Sequence, residues 1–199
     1  MPEEGSGPPL LAPAARGERA DAARNREKVL AAAATLLAAA EPSQVSMGQI
    51  ARAAGVGRAT LYRRYPDVHS IAVALLDEHE RDLQRRMMEG PPPLGPGASP
   101  GERLTAFFAA MVDLLERFGP LLLAAESGAG RFETGAYGFW RTHVSALLAQ
   151  SGVADASARA DLLLAAVDPE LHRFQRRSMS AEQRVRQLSW LARSVLDEG

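Results

Sequence analysis

The chain has 199 residues, of which 46% are hydrophobic and 24% charged, with a formal net charge of −1 and no cysteine. This composition can supply a packed core, and it excludes disulfides, thiolate metal sites and thiol catalysis. The balanced charge excludes a protein that binds polyanions over its whole surface, so any affinity for them would come from a local patch.

The N-terminus does not resemble a signal peptide, because it is acidic and proline-rich and lacks a basic flank with an apolar core. No uninterrupted apolar run reaches the roughly 18 residues of a membrane helix. We therefore expect a soluble cytoplasmic protein.

Two segments divide the chain by their composition. Residues 1–20 are rich in proline, glycine, alanine and charge and lack periodicity, which predicts a disordered N-terminal arm. A proline- and glycine-rich segment at 89–101 predicts a linker, because neither a helix nor a strand can cross it. The other segments show helical spacing and no strand alternation. The sequence therefore predicts an all-α fold, with one domain over 21–88 and a second helical domain over 102–199.

Four helices are predicted before the linker. Apolar spacing indicates the first over residues 24–40. Residues 46–49 match a capping box at the start of the second, which ends at Gly55. The third follows this turn and ends before Pro66, because proline disfavours helical geometry in the residue before it. Asp67 can cap the fourth.

Further helices are predicted beyond the linker. Residues 99–102 form a second capping box with proline at the first helical position, and they open a helix that Gly119-Pro120 should kink or end. A short helix at 121–125 and a glycine-rich loop at 127–135 are expected next. The remaining predicted helices cover 137–150, 156–167, 169–177 and 180–196.

The window from Pro42 to Pro66 differs in charge from the rest of the chain. It has no carboxylate and contains the arginines Arg52, Arg58, Arg63 and Arg64. Two short helices meet there at a glycine-containing turn, and the second carries outward hydroxyl groups. This combination indicates a surface that binds DNA, since a helix of this size fits the major groove. A structural three-helix bundle with a solvated arginine face is the alternative.

The same window carries a family resemblance. It contains the string QIARAAGVGRATLYRRYPDVHSI, which resembles the helix-turn-helix of the TetR family of bacterial transcriptional repressors, here at about 46–65. The matching positions are Ser46, Ile50-Ala51, Ala54-Gly55-Val56, Thr60-Leu61-Tyr62 and Tyr65. Gly57 departs from the pattern where serine is usual. His69 stands where lysine is frequent, and it is a weaker phosphate contact at neutral pH. The resemblance covers about residues 24–83.

The candidate DNA-binding residues are Ser46, Arg58, Thr60, Tyr62, Arg63, Arg64 and His69. We expect Ser46 and Tyr62 to donate to phosphates, which fixes register without reading sequence. Arg58, Thr60 and Arg63 are the candidates for base edges, because arginine suits guanine O6 and N7.

The C-terminal domain is expected to bind a small apolar effector. The candidate pocket residues are Phe107, Phe108, Met111, Phe118, Tyr137, Trp140 and His143. Ordinary core packing is the alternative for most of these aromatic residues, and a hydrogen-bonded core or surface position is the alternative for His143.

A homodimer is expected because a short recognition helix specifies only a few base pairs, so useful specificity requires two on a two-fold axis. The family layout places the last helices at the interface. The candidate interface residues are Leu162, Leu163, Leu188, Trp190, Leu191 and Val195.

The resulting hypothesis is a homodimeric repressor that binds a palindromic operator in double-stranded DNA and is released by its effector. The fourth helix would transmit the signal, and the linker would let it move without the fifth. We expect no catalytic residue, metal or cofactor, because no nucleophilic triad, phosphate-binding glycine loop or metal-ligand spacing is present. The alternatives are a ligand-independent architectural DNA-binding protein and an enzyme that uses a helical pocket.

Overall fold

The computed structural model describes residues 13–40, 44–125 and 135–197. Regular secondary structure over these residues is entirely helical, which confirms the all-α prediction. The helices are α1 (Pro13–Ala39), α2 (Met47–Ala54), α3 (Arg58–Arg64), α4 (Val68–Glu89), α5 (Pro100–Ala125), α6 (Gly135–Gln150), α7 (Ala156–Ala165), α8 (Pro169–Gln175) and α9 (Ala181–Asp197). None of the helices in these ranges is both long enough and apolar enough to cross a bilayer.

Helix α1 starts earlier than predicted. It begins at Pro13, so the disordered arm expected for residues 1–20 is wrong over 13–20, while residues 1–12 lie outside the described residues. Proline is well tolerated in a first helical turn, and the alanine, arginine and glutamate that follow it are good helix formers. Alanine, arginine and glutamate are also frequent in disordered segments. Composition alone therefore did not distinguish a helix from a disordered arm at residues 13–20. The helix end predicted at Glu41-Pro42 also lies outside the described residues.

The chain divides by its contacts into two units, Met1–Ile71 and Ala72–Gly199. The boundary falls inside α4, whereas composition placed it in the segment 89–101. The later part of α4 belongs to the second unit through its packing, since the ring of His79 lies 4.4 Å from that of Phe118, centroid to centroid.

The first unit has a small core formed by α1, α2, α3 and the first residues of α4. Its buried apolar side chains are Val29, Leu30, Ala33, Val45, Met47, Ile50, Ala51, Ala54, Leu61, Tyr65 and Ile71. Burying each of the larger ones stabilises the unit by roughly 1.5–3 kcal/mol. The small side chain of Ala51 is 2% exposed and allows close packing of α2 against its neighbours.

The segment between α4 and α5 is irregular, as predicted, but it is packed. Leu94 is buried, and Arg103 donates from Nε to the Leu94 carbonyl (3.4 Å) and from Nη2 to the Met87 carbonyl (2.9 Å). The segment is therefore a braced turn within the second unit, in contrast to the loose linker expected from its composition.

Helix α5 continues through Pro120 to Ala125, so it does not end at Gly119-Pro120, and residues 121–125 belong to α5 instead of a separate helix. An interior proline lacks one helical N–H and costs about 3 kcal/mol. Burial of Phe118 and Leu122 on either side offsets this cost. The glycine-rich loop expected at 127–135 lies outside the described residues except at Gly135, which begins α6.

The predicted helix starts of the second unit are confirmed by their hydrogen bonds. The Ser99 N–H donates to Glu102 Oε2 (2.9 Å), and the Ser180 N–H donates to Gln183 Oε1 (2.8 Å). Asp168 Oδ1 accepts from two backbone N–H groups at the start of α8. These bonds satisfy N–H groups that have no partner within their own helix.

Helix α5 lies at the centre of the second unit and packs against α6, α8 and α9. A polar cluster, defined as Glu116, His172, Arg176 and Arg184, joins α5 to α8, its C-cap and α9. Arg184 is 3% exposed, pairs with Glu116, and places Nη1 2.7 Å from His172 Nδ1. Arg176 Nε lies 3.3 Å from Glu116 Oε2. Burial and the nearby Arg176 lower the pKa of His172 to about 4, so this ring is neutral at pH 7.

Candidate functional site

The turn between α2 and α3 is fixed by local hydrogen bonds. The Ser46 hydroxyl accepts from the Gln49 N–H (3.3 Å), and the Ser46 backbone N–H donates to Gln49 Oε1 (2.8 Å), which together form the predicted capping box. The Ser46 hydroxyl also donates to Gln49 Oε1 (2.8 Å). Gly55 adopts φ 64° and ψ 33°, a left-handed conformation that glycine tolerates better than other residues. Gly57 starts α3 without a side-chain cap, as its departure from the family pattern predicts.

Helix α3 is held by one side and exposed on the other. Leu61 and Tyr65 are 2% and 7% exposed and anchor it in the core. Thr60, Tyr62 and Arg63 are exposed, with the Tyr62 side chain 53% exposed. We define these three side chains as the outer face of α3. They are available to a partner without unfolding the unit.

Two other arginines of this helix lie against their own unit. A Cβ atom placed on Gly48 would lie 3.1 Å from Arg58 Nη2, so the Arg58 guanidinium crosses the first turn of α2. Arg64 Nη1 donates to the Ala22 carbonyl (3.5 Å), and its Cζ lies 5.9 Å from the centre of the Tyr65 ring. Arg58 and Arg64 would therefore have to break these contacts within their own unit before they could bind DNA.

An open groove runs between α1 and α3. It is lined by Thr60, Arg63 and Arg64 from α3 and by Asn25 and Arg26 from α1, among others. The position of Asn25 on the α3 side of α1 depends on how the two helices pack. The groove therefore extends the polar surface of α3 onto α1.

His69 is exposed in the first turn of α4. The preceding Asp67 caps this helix, since its Oδ1 accepts from the Ser70 N–H (2.7 Å), and this hydrogen bond lowers the pKa of the Asp67 carboxyl. The predicted cap is thus confirmed, and it places a carboxylate two residues from His69. That neighbour reduces the value of His69 as a phosphate contact.

The second unit contains a partly open cavity of about 380 Å³. Its lining comes from α5, α6 and α7, from the start of α8 and from one residue of α4. The lining residues are Glu80, Met111, Leu114, Leu115, Leu122, Ala136, Tyr137, Trp140, Asp161, Leu164, Ala165, Val167, Asp168, Pro169 and Leu171. The cavity is mainly apolar, with acidic groups and one phenol at its wall.

Three of the predicted pocket residues, Met111, Tyr137 and Trp140, line this cavity. The other four, Phe107, Phe108, Phe118 and His143, are not among its described lining residues and pack in the core with 0–9% exposure, so their role in ligand binding stays a prediction. Spacing indicated an inward helix face but not which inward side chains border empty space. The leucines of α5 that line the cavity have the same spacing in the sequence as leucines that pack in the core, so the sequence could not distinguish the two.

His143 belongs to an aromatic cluster in the core. Its ring lies 5.9 Å from Phe107 and 6.5 Å from Phe139, between ring centres. Burial, together with the positive charge of Arg103, lowers the pKa of His143 to about 4. His143 therefore lies in the core, but its buried Nε2 has no hydrogen-bond partner among the described residues, so the hydrogen-bonded position is not shown for that atom.

The predicted dimer-interface residues separate into two groups. Leu162 and Trp190 are 73% and 62% exposed, whereas Leu163 and Leu188 are 2% and 9% exposed and pack inside their own unit. Leu191 and Val195 are partly exposed. Leu163 and Leu188 therefore contribute to the core of their own unit, and the assignment of these six residues to a dimer interface stays a prediction. Exposed Phe174 on α8, which the sequence analysis did not single out, adds a further large apolar side chain.

Comparisons with known proteins agree with this geometry. Residues 29–74 match the family model described as bacterial regulatory proteins of the tetR family. An uncharacterized HTH-type transcriptional regulator from Mycobacterium tuberculosis is 39% identical over 67 residues, which is 34% of this chain and 35% of the relative. The match thus spans about a third of the relative's length.

Solved structures share the fold of the chain. A transcriptional regulator from Rhodococcus sp. Rha1 superposes with a TM-score of 0.69 at 21% identity and covers 87% of this chain and 96% of its own. The regulator FadR from Bacillus subtilis, solved in complex with stearoyl-CoA, gives 0.59 at 19% identity, over 86% of this chain and 95% of its own. Residues 29–74 are thus similar to the DNA-binding segment of the tetR family of bacterial regulatory proteins, and the helix-turn-helix geometry of α2 and α3 agrees with that likeness.

Proposed function

We propose that this protein is a homodimeric transcriptional regulator that represses genes by binding a palindromic operator and releases it when a small ligand occupies the cavity. The observation that carries the proposal is the outer face of α3, which stands beside the left-handed turn at Gly55 within the segment that matches the family model. An exposed helix of this kind is the element that helix-turn-helix proteins insert into the major groove.

The geometry ranks the proposed DNA contacts. Thr60 and Arg63 are the best placed to reach base edges, and the Tyr62 hydroxyl is exposed for a phosphate. Arg58 would have to swing away from Gly48 before it reached a base. The Ser46 hydroxyl hydrogen already goes to Gln49, so its main role is to cap α2.

The homodimer is supported by exposed apolar side chains on the last helices. Leu162 on α7 and Trp190 on α9 are large, apolar and mostly exposed. Large aromatic side chains are frequent anchors of protein interfaces. Pairing two copies through this surface would supply the two recognition helices that a palindromic site requires.

Control by a ligand is supported by the cavity and by the chain path. Glu80 lines the cavity and lies on α4, the helix that starts directly after the helix-turn-helix. A ligand releases DNA only if it prefers the dimer whose recognition helices are misplaced, and a shift of α4 would produce that preference. Stearoyl-CoA, the ligand of the Bacillus subtilis regulator, is not assigned to this cavity, because none of its described lining residues is basic.

The first test is operator binding with matched variants. DNA upstream of the gene that contains an inverted repeat is titrated with the protein, and fluorescence anisotropy is measured at fixed salt against random DNA. Arg63→Ala should weaken operator binding about tenfold or more, because a base-edge arginine contact is lost. Arg81→Ala, a change at an exposed arginine paired with Asp77 in the second unit, should leave binding unchanged.

Equal affinity for operator and random DNA would contradict the proposal and favour a ligand-independent architectural protein. A monomer in solution, measured by light scattering at the binding concentrations, would contradict its dimeric part.

A further inference from the structure

The open groove between α1 and α3 combines an apolar floor with a polar rim. It has a volume of about 700 Å³, and its floor includes the buried residues Val29 and Leu61, which are 4% and 2% exposed. The rim on the α1 side includes Asn25, which is half-buried. An asparagine amide carries two N–H donors, so this position can bind a hydrogen-bond acceptor that enters the groove.

Asn25 lies on the face of α1 that packs in the core. Residues four positions apart on a helix share a face, and in this series Ala33 and Val29 are 0% and 4% exposed. Asn25 is the next position of the series toward the start of the helix, where it lines the groove. The apolar stripe of α1 therefore becomes polar at the point where it leaves the core and borders the open space beside α3.

Arg64 keeps this part of α1 beside the last turn of α3. Its Nη1 donates to the carbonyl of Ala22 (3.5 Å), which lies less than one helical turn before Asn25. Thr60 and Arg63, which belong to the outer face of α3, line the same groove. Asn25 and the outer face of α3 therefore border one open space.

The dimensions of B-DNA indicate what occupies this space when α3 binds. The major groove is about 12 Å wide, and an α-helix with its side chains is about 10–12 Å across, so a recognition helix fills the groove from one phosphate strand to the other. A helix that lies beside α3 is therefore placed over one of these two strands. The strand on the α1 side would pass along the groove between α1 and α3, with its phosphates close to Asn25.

We infer that Asn25 binds DNA by donating from Nδ2 to a phosphate of this strand. The inference rests on the proposed function and adds to it a contact from α1, which fixes the register of α3 without reading sequence. Asp21 also lines the groove, one turn from Asn25, and Arg24 donates to its carboxylate. Because like charges repel, the phosphate would lie at Asn25 and away from Asp21.

The experiment uses the full-length protein and two fluorescein-labelled duplexes of equal length, one with the inverted repeat from upstream of the gene and one of random sequence. Fluorescence anisotropy gives the Kd for each. Asn25→Ala should weaken binding to both duplexes by about threefold and leave the ratio of the two Kd values unchanged, because a phosphate contact carries no sequence information. Arg63→Ala should instead weaken operator binding more than random binding. Alanine favours a helix over asparagine, so thermal unfolding of Asn25→Ala should show no loss of stability.

A change of charge at the same position gives a sharper test. Asn25→Arg should strengthen binding to both duplexes and steepen the slope of log K against log salt concentration by about 0.9 between about 50 and 200 mM salt, because one more phosphate is neutralised. Asn25→Asp should weaken binding to both duplexes by about tenfold. Ala31→Arg is the matched control, since it adds the same charge at an exposed position of α1 outside the groove lining. It should leave the salt slope within about 0.3 of the wild-type value.

Equal effects of Asn25→Arg and Ala31→Arg on the salt slope would overturn the inference, because net charge alone would then explain both. Unchanged affinity of Asn25→Ala would also overturn it and show that the asparagine only ends the apolar stripe of α1. A wild-type protein that binds both duplexes equally would overturn sequence-specific repression, while the Asn25 variants would still decide the phosphate contact on random DNA. Absence of any DNA binding would overturn both the inference and the proposed function.

Discussion

In the unit Met1–Ile71 the side chain of Arg63 is exposed, whereas in the unit Ala72–Gly199 Arg184 is 3% exposed and paired with Glu116. An exposed guanidinium keeps its hydration and can exchange it for phosphate or base contacts. A buried guanidinium must be compensated within the fold. The charge of Arg63 in the first unit is thus accessible to a binding partner. The charge of Arg184 in the second unit is instead used within the fold, where it joins α5, α8 and α9.

The largest expected effect follows from removing that compensation. Glu116→Gln leaves Arg184 buried without its carboxylate, so the free energy of unfolding of the second unit should fall by about 3 kcal/mol. Urea denaturation followed by tryptophan fluorescence measures it, because both tryptophans lie in that unit. Asp113→Asn breaks an exposed pair with Arg117 and should cost about 0.5 kcal/mol or less. Equal losses in the two variants would contradict the distinction between buried and exposed charge.

The pH dependence should come next in size. His143 and His172 have pKa values lowered to about 4 from an ordinary 6.5, so between these values the unfolded chain binds protons that the folded chain does not. The free energy of unfolding of the second unit should therefore fall as the pH is lowered from 7 to 5, by roughly 1–2 kcal/mol per histidine. His143→Phe should remove about half of this dependence. An unchanged urea midpoint between pH 7 and pH 5 would show that these rings protonate without cost.

Tyr62 tests the other side of the comparison. Its side chain is 53% exposed, so Tyr62→Ala should reduce operator affinity by about tenfold and change the free energy of unfolding by about 0.5 kcal/mol or less. Tyr62→Phe separates the hydroxyl from the ring, because only a phosphate contact requires the hydroxyl. Operator anisotropy and thermal unfolding on the same samples measure the two effects. Loss of stability without loss of affinity would assign Tyr62 to the structure of the unit.

The smallest expected effects come from two matched helix caps. Ser46→Ala in the first unit and Ser99→Ala in the second each remove a capping box, and each should cost about 1 kcal/mol of stability. Only Ser46→Ala should also weaken operator binding, because it loosens α2 beneath α3. Hydrogen exchange in the first turn of each helix and operator anisotropy distinguish the two outcomes. Equal operator affinity of both variants would show that α2 tolerates the loss of its cap.

Features set by neighbours in sequence were predictable. The capping boxes at Ser46, Ser99 and Ser180 depend on residues three positions apart, and the turn at Gly55 depends on one backbone conformation, so the sequence contains all the information that they need. The ordered motif around α3 is of the same kind. The cap at Ser46, the turn at Gly55 and the motif around α3 also lie within the residues that the family comparison matches, 29–74.

Features set by distant packing were not predictable. Leu162 and Leu163 are adjacent and equally apolar, yet one is 73% exposed and the other 2% exposed. Phe107 and Phe108 fill the core, while Leu114 and Leu122 of the same helix border the cavity. Pro120 remains helical because its neighbours are buried. In each case the outcome depends on which helix packs against which face, and no local pattern contains that information.

Gly48 links the packing of α2 to the position of the Arg58 side chain in the first unit. It is the residue over which Arg58 lies, and a methyl group there would approach Arg58 Nη2 to 3.1 Å and displace the guanidinium by a few tenths of an ångström or more. Alanine also favours the helix over glycine by roughly 0.5–1 kcal/mol. One substitution at a site remote from the bases would thus strengthen α2 and redirect an arginine at the same time. Under the proposed function, a change of operator preference has a route that leaves every residue of the outer face of α3 unchanged.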